Sequence, residues 1–161
     1  MTDTLTVNLI PEGDTGTVRL EDHFDTDIAD LWSAITDPHR TARWLAVVSG
    51  DFRLGGELTA SFTSAWEGTL LVEVCDAPHR LRVLARGRGD QTVMEAVLSE
   101  EGTGTRLVVE ERGLPVADLP YHGAGWQVHL QDLRIVIDGG TPSPWEPRWR
   151  ELLPAYGVVS E

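Results

Sequence analysis

Along the first third of the chain, apolar and polar residues trade places with a period of two and then with a period near 3.6. Val18, Leu20 and Phe24 alternate with Arg19, Glu21, His23 and Asp25, the pattern of a strand with one buried face. Ile28, Leu31, Trp32 and Ile35 then fall at helical spacing, with Thr26 or Asp27 able to cap the free amides at the helix start. Pro38 ends that helix, because the residue before a proline is steered out of the helical region. A second short helix over about His39 to Leu45 would turn Trp44 and Leu45 toward the core.

The middle of the chain reads as a meander of strands separated by turn chemistry. Val47 to Leu54 precedes the tight turn Gly55-Gly56, and Glu57 to Thr63 returns. Glu67-Gly68 opens Thr69 to Cys75, Ala77-Pro78 turns it, and Arg80 to Arg86 runs back to the loop Gly87 to Asp90. Thr92 to Ser99 and Thr105 to Arg112 follow, joined by the glycine-containing stretch Glu100 to Gly104. After Pro120 the helical period returns, with Trp126, Leu130, Leu133 and Ile137 on one stripe. Val128, Ile135 and Val136 add apolar surface beside that stripe, so this helix should be buried on more than one face. Gly139-Gly140 terminates it.

These elements predict a single domain over residues 17–139, preceded by a loose arm over 1–16 and followed by a proline-rich extension over 140–161. That extension carries a short amphipathic helix with Trp149, Leu152 and Leu153. A chain of 161 residues is long enough to bury roughly two-thirds of its unfolded surface without metal or disulfide staples.

Charge narrows the partners. Thirteen basic residues, all arginine, face 26 acidic ones for a net charge of −13. Such a balance repels phosphate backbones, which need clustered positive charge, and equally disfavours an anionic membrane surface. No apolar run approaches the roughly 18 to 20 residues of a membrane span. The stretch Met1 to Gly16 fits neither a signal nor a transit peptide, so a cytoplasmic location is expected. The absence of lysine excludes Schiff-base chemistry, and lone Cys75, set in an apolar strand, reads as a small buried hydrophobe. There is no G-x-S-x-G elbow, H-E-x-x-H pair or phosphate-binding glycine loop, and no cofactor or metal is indicated.

Several short segments carry a family resemblance. They are Phe24 to Pro38, Arg43-Trp44-Leu45, Gly55-Gly56, Trp66-Glu67-Gly68, Pro78-His79-Arg80-Leu81, Gly104-Thr105-Arg106-Leu107 and Gly125-Trp126. In this order they resemble the START-like superfamily, also called SRPBCC, and within it the branch similar to the activator of heat-shock-protein-90 ATPase. The resemblance implies an α+β helix-grip fold, a curved antiparallel sheet of six or seven strands around a long C-terminal helix. It also implies a cavity between them that relatives use for sterols, lipids or aromatic polyketides. Fold does not specify function, which must come from the site.

If strand parity holds, the cavity wall comprises Leu20, Phe24, Phe52, Leu58, Ala60, Phe62, Val83, Met94, Ala96, Leu98, Leu107 and Val109, closed from the helix by Trp126 and Leu130. The small residues Ala60, Ala85 and Ala96 favour space there. Parity puts two carboxylates, Asp22 and Glu111, on the same face. Burying either is costly unless it is paired, protonated or near water, so they are the polar candidates for ligand contact or proton transfer; salt bridges to arginine are the structural alternative. His122, near the start of the long helix, could hydrogen-bond a ligand at the mouth. His129 shares its face, but seven residues span roughly 10.5 Å of helix rise, too far for both rings to hold one metal ion. Arg80, Arg82, Arg86 and Arg88 would meet acids such as Glu73 and Glu95 on the outer sheet face.

The function expected first is non-enzymatic binding of a small hydrophobic or amphipathic ligand. A chaperone-ATPase-stimulating interaction domain and a polyketide cyclase or dehydratase-type enzyme using Asp22, Glu111 or His122 are the alternatives that the resemblance implies. An edge strand and tail tryptophans Trp145 and Trp149 offer surface for a homodimer.

Overall fold

In a computed structural model, which describes residues 4–158, the alternation resolves into one antiparallel sheet. Its strands are β1 (Thr6–Glu12), β2 (Thr15–Phe24), β3 (Ala46–Ser49), β4 (Glu57–Phe62), β5 (Glu67–Asp76), β6 (Arg80–Arg86), β7 (Gln91–Glu101) and β8 (Gly104–Pro115). They are ordered β1-β2-β8-β7-β6-β5-β4-β3, so the sheet has eight strands where six or seven were expected. Helices α1 (Ile28–Thr36) and α2 (Pro38–Thr41) follow β2, and α3 (Leu119–Ile137) and α4 (Trp145–Leu152) end the chain. This is the α+β helix-grip architecture.

The extra strand comes from the expected loose arm. Thr6–Glu12 pairs along its length with β2, from Thr6 opposite Glu21 to Glu12 opposite Thr15. Its alternate residues Val7 and Leu9 pack on the core, which supplies the burial that a free arm would lack. Residues 1–3 of the arm lie outside the described residues. The segment expected as a strand over Val47 to Leu54 is shorter. Gly50 has φ of +123° and the chain loops from there to β4, so pairing ends at Ser49 opposite Thr59.

Asp27 is the cap of α1, its Oδ1 accepting from the Asp30 amide at 2.8 Å. The second helix is a single turn ending at Thr41, after which turns deliver Trp44 to the core, its indole donating to the Ala34 carbonyl at 2.9 Å. Pro120 stands inside the first turn of α3, where its missing N–H costs nothing.

Helix α3 is buried almost all round. Trp126, Leu130 and Leu133 face the sheet, and the tail covers the opposite side. Arg148 of α4 is ion-paired with buried Asp132 and reaches Gln131 at 3.1 Å. The Trp149 indole donates to the Tyr121 carbonyl at 3.0 Å, and the Tyr156 hydroxyl to Gln127 at 2.6 Å. Gly123 permits this close approach: a Cβ there would stand 2.7 Å from Leu9 Cδ2 and 2.9 Å from Tyr156 Cε2. The extension over 140–161, read from sequence as a separate appendage, is as far as residue 158 an outer layer of the domain. Trp145 and Trp149 are half-buried in it, so they are not the free surface suggested for a dimer.

Candidate functional site

Two spaces flank the line Phe62, Met94 and Trp126. The inner chamber lies between the concave sheet and the segment from the end of α1 through α2 to β3, meets α3 at Trp126, and measures about 70 Å³. The outer cleft, about 380 Å³, lies between the N-terminal half of α3, the β4–β5 turn and α4. An apolar cavity that admits benzene is about 150 Å³, and ligand pockets run from about 300 to 1,000 Å³. The outer cleft is therefore ligand-sized and the inner chamber is not.

The expected wall residues divide accordingly. Phe52, Val83, Ala96, Leu107 and Val109 line the inner chamber, Glu111 and His122 the outer cleft, and Phe62, Met94 and Trp126 both. Leu20, Phe24, Leu58, Leu98 and Leu130 line neither. They are buried within the core: Leu20, Phe24, Leu98 and Leu130 lie where α1 and α3 close against β2, β7 and β8, and Leu58 lies on β4. The space placed from sequence under α3 is thus mostly filled, and the larger one opens beside the helix.

The two buried carboxylates have different partners. Asp22 is salt-bridged to Arg134 at 2.7 Å, and that guanidinium lies 4.9 Å over the Phe24 ring. Thr4 also donates to Asp22. This group is the structural pair that sequence reasoning gave as its alternative, and it lines neither space.

Glu111 lies on the cleft floor. In the β7–β8 ladder it stands opposite Met94, which sets its side chain on the concave face. Its Oε2 accepts from Thr92 at 2.8 Å, and Oε1 accepts from the Trp126 indole at 2.9 Å and meets His122 Nδ1 at 3.1 Å. Burial pushes this carboxyl up, but the bonds and charge from His122, with the Trp126 and Thr92 donors, outweigh it and hold the pKa below the ordinary value. Burial pushes His122 down, while Glu111, aided by Asp118 and Asp90, raises it above the ordinary histidine value. The pair therefore favours a carboxylate facing an imidazolium, with the histidine on the more solvent-accessible side.

Aromatic rings build the walls. His129 is their hub, its ring centroid 5.9 Å from Phe62, 5.4 Å from Trp126 and 5.4 Å from Trp145. Phe62 meets Trp66 edge-on at 5.1 Å, and Trp145 stacks on Trp149 at 5.6 Å. Four of the chain's six tryptophans thus line the cleft. Burial lowers His129 to about 4, so its ring is neutral. At the rim Ala65 has φ of +74°, a left-handed backbone that a residue with a Cβ adopts at a cost. Among the described residues no cluster of acids, histidines and cysteines could hold a metal ion.

Sequence reasoning missed His129, Tyr121, Trp66, Trp145 and Trp149 as cleft residues. The available signal was the pairing of Trp145 with Trp149 one helical turn apart, beside a helix greasy on two faces. On the outer sheet face Arg80 bonds Glu95 at 2.6 Å and Arg82 meets Glu73 at 3.4 Å, a salt-bridged surface. Cys75 is half-buried and its thiol lies 3.6 Å from the Phe52 carbonyl.

The family model described as activator of Hsp90 ATPase homolog 1-like protein matches residues 25–138. The chain belongs to this family. Its START-like fold is shared with the crystal structure of CalU16 from Micromonospora echinospora, at 27% identity and a TM-score of 0.74 over 97% of this chain and 95% of that one. The solution structure of CalU16 matches at 28% identity and a TM-score of 0.76, covering 97% of this chain and 90% of that one. DynU16, a protein in the dynemicin biosynthetic locus, shares the fold at 22% identity and a TM-score of 0.74, over 84% of this chain and 51% of that one. No curated protein matches the chain by sequence. Membership of the family brings with it a fold suited to small-molecule binding, and among the described residues no helix is long and apolar enough to cross a membrane.

Proposed function

We propose that this protein binds a small hydrophobic or amphipathic molecule in the outer cleft, with aromatic faces holding the ligand and the Glu111–His122 pair meeting its polar end. The observation that carries this reading is a ligand-sized space of about 380 Å³ walled by Phe62, Trp66, Trp126, Trp145 and Trp149 over the ion pair of buried Glu111 with partly exposed His122. Rings of this kind offer flat apolar area with little rotamer entropy to lose on binding. Titration with Nile red, a neutral apolar dye, should give saturable binding that Trp145→Ala weakens. Absence of saturable binding, together with a ligand-free mass for the purified protein by native mass spectrometry, would remove the proposal.

One observation favours a second reading, an enzyme of the cyclase or dehydratase type. Glu111 is a buried carboxylate fixed by two neutral donors and coupled to a histidine that reaches solvent, an arrangement able to take a proton from a bound molecule and pass it outward. If it operates, Glu111→Gln and His122→Asn abolish turnover of an aromatic polyketide substrate while Nile red still binds. Turnover unchanged in both variants rejects it.

A further inference from the structure

Two polar atoms in the cleft wall have no hydrogen-bond partner: Nδ1 of His129 and Nε1 of Trp145. Such groups are rare in folded proteins, since each has given up water without a replacement. Both belong to residues that line the cleft, and their rings are neighbours, with centroids 5.4 Å apart and planes tilted by 36°. His129 is only 4% exposed.

Their chemistry is complementary. The Trp145 indole nitrogen can only donate. His129 is neutral and hydrogen-bonds the Trp44 backbone. With Nδ1 unpartnered, that bond falls to Nε2, which must carry the proton to bond a carbonyl; Nδ1 then keeps a lone pair and can only accept. A donor and an acceptor thus stand unmatched on adjacent rings. A hydroxyl supplies both complements, accepting from the indole and donating to the imidazole.

We infer that the cleft selects a flat aromatic molecule bearing a free hydroxyl, held between His129 Nδ1 and Trp145 Nε1. This deepens the ligand-binding reading of the cleft and rests on it. Both nitrogens are screened from solvent, so a hydroxyl reaches them by displacing the Trp145 ring from His129, while Arg148, Trp149 and Tyr156 keep the rest of the tail on α3. The segment leading into α4, Thr141 to Pro144, is mostly exposed coil, and no side chain of the sheet braces Trp145 among the ring contacts described. The closed arrangement leaves two polar groups unsatisfied, and the ligand relieves both on entering.

The test compares 1-hydroxypyrene with 1-methoxypyrene, read by energy transfer from the cleft tryptophans of the full chain. The methyl ether can still accept from Trp145 but can donate nothing to His129. Hydroxypyrene should bind about tenfold more tightly, the worth of one good neutral hydrogen bond. His129→Phe, which keeps a ring and deletes the acceptor, should bring the ratio close to one. Trp145→Phe, on the half-buried tail where folding is least at risk, should weaken both probes while leaving hydroxypyrene the tighter. If the wild-type chain binds the two probes equally, the hydroxyl inference is wrong and the cleft reading survives. If neither probe binds, the ligand-binding reading itself falls.

Discussion

Trp126 of α3 and Glu111 of β8 are joined by a 2.9 Å hydrogen bond from the indole to Oε1, the oxygen that also meets His122. This one acid ties the long helix to the sheet and sets the charge of the histidine above it. Glu111→Gln keeps the shape and removes the charge. The His122 pKa, measured by NMR titration, should then fall, because burial remains while the upward push of Glu111 is lost. Stability should drop by about 1–3 kcal/mol as the packed polar cluster loses its anion. An unchanged His122 titration would show that the pair is not coupled.

The two cleft histidines, His122 and His129, have opposite pH signatures. Glu111 lies below its ordinary 4.5 in the folded state, so its stabilisation is full above that value and is lost as pH falls through the lowered one. His122 lies above its ordinary 6.5, so its stabilisation is full below 6.5 and is lost as pH rises through the raised value. The pair, with Asp118 and Asp90 also facing the histidine, therefore contributes most between 4.5 and 6.5.

His129 acts oppositely to His122, since the unfolded chain takes a proton near 6.5 and the folded one only near 4. Relative to His129→Phe, the wild-type protein should lose stability as pH falls from 7 toward 4, by up to about 3 kcal/mol. Urea unfolding of both proteins at pH 7 and 4.5 reads this directly. Parallel losses in the two would mean that the imidazole is not held neutral.

Met94 separates the inner and outer spaces. Met94→Ala should join them, costing about 1–3 kcal/mol for the lost side chain. In exchange, a probe with a short alkyl branch too bulky for the wild-type cleft should gain affinity. Equal affinities in the two proteins would show that the chambers stay apart.

Ala65 carries a Cβ at a left-handed φ of +74°. Replacement by glycine relieves that strain and offsets the greater freedom of the unfolded chain, so Ala65→Gly should leave stability equal or raise it by about 0.5 kcal/mol. Ala65→Val should lower it by about 1 kcal/mol or more, because branching at Cβ worsens the clash. Guanidinium melts distinguish the signs.

Arg148 is the ionic partner of buried Asp132. Arg148→Ala leaves that carboxylate without its cation and should destabilise the protein by about 3 kcal/mol at pH 7. The loss should shrink at pH 5, because burial already raises the Asp132 pKa and a protonated carboxyl is less costly to leave unpaired. Cleavage by trypsin at Arg150 should quicken as α4 loosens. Unaltered proteolysis would mean that the tryptophans alone hold the tail.

The strands β4 to β8, the helix α1 and the long helix were legible because each announces itself locally, by alternation of two or by a stripe such as Trp126, Leu130 and Leu133. The seven family segments placed them in order. Strand β1 was harder to see: Val7 and Leu9 alternate over only a few residues, and what makes them a strand is the free edge of β2. The tail was read correctly as a short helix and wrongly as surface, since whether Trp145 and Trp149 face water depends on which side of α3 the sheet leaves bare.

The sequence by itself determined the strands and helices, the excess of acidic charge and the inward face on which Glu111 and Asp22 both lie, because parity and helical period are properties of neighbouring residues; their helix-grip arrangement was implied by the family resemblance. Tertiary structure alone decided that Asp22 goes to Arg134 while Glu111 goes to His122, and that the ligand-sized space lies beside α3 instead of beneath it. Those outcomes depend on distances between residues far apart in the chain, where close packing permits one set of partners and excludes the rest.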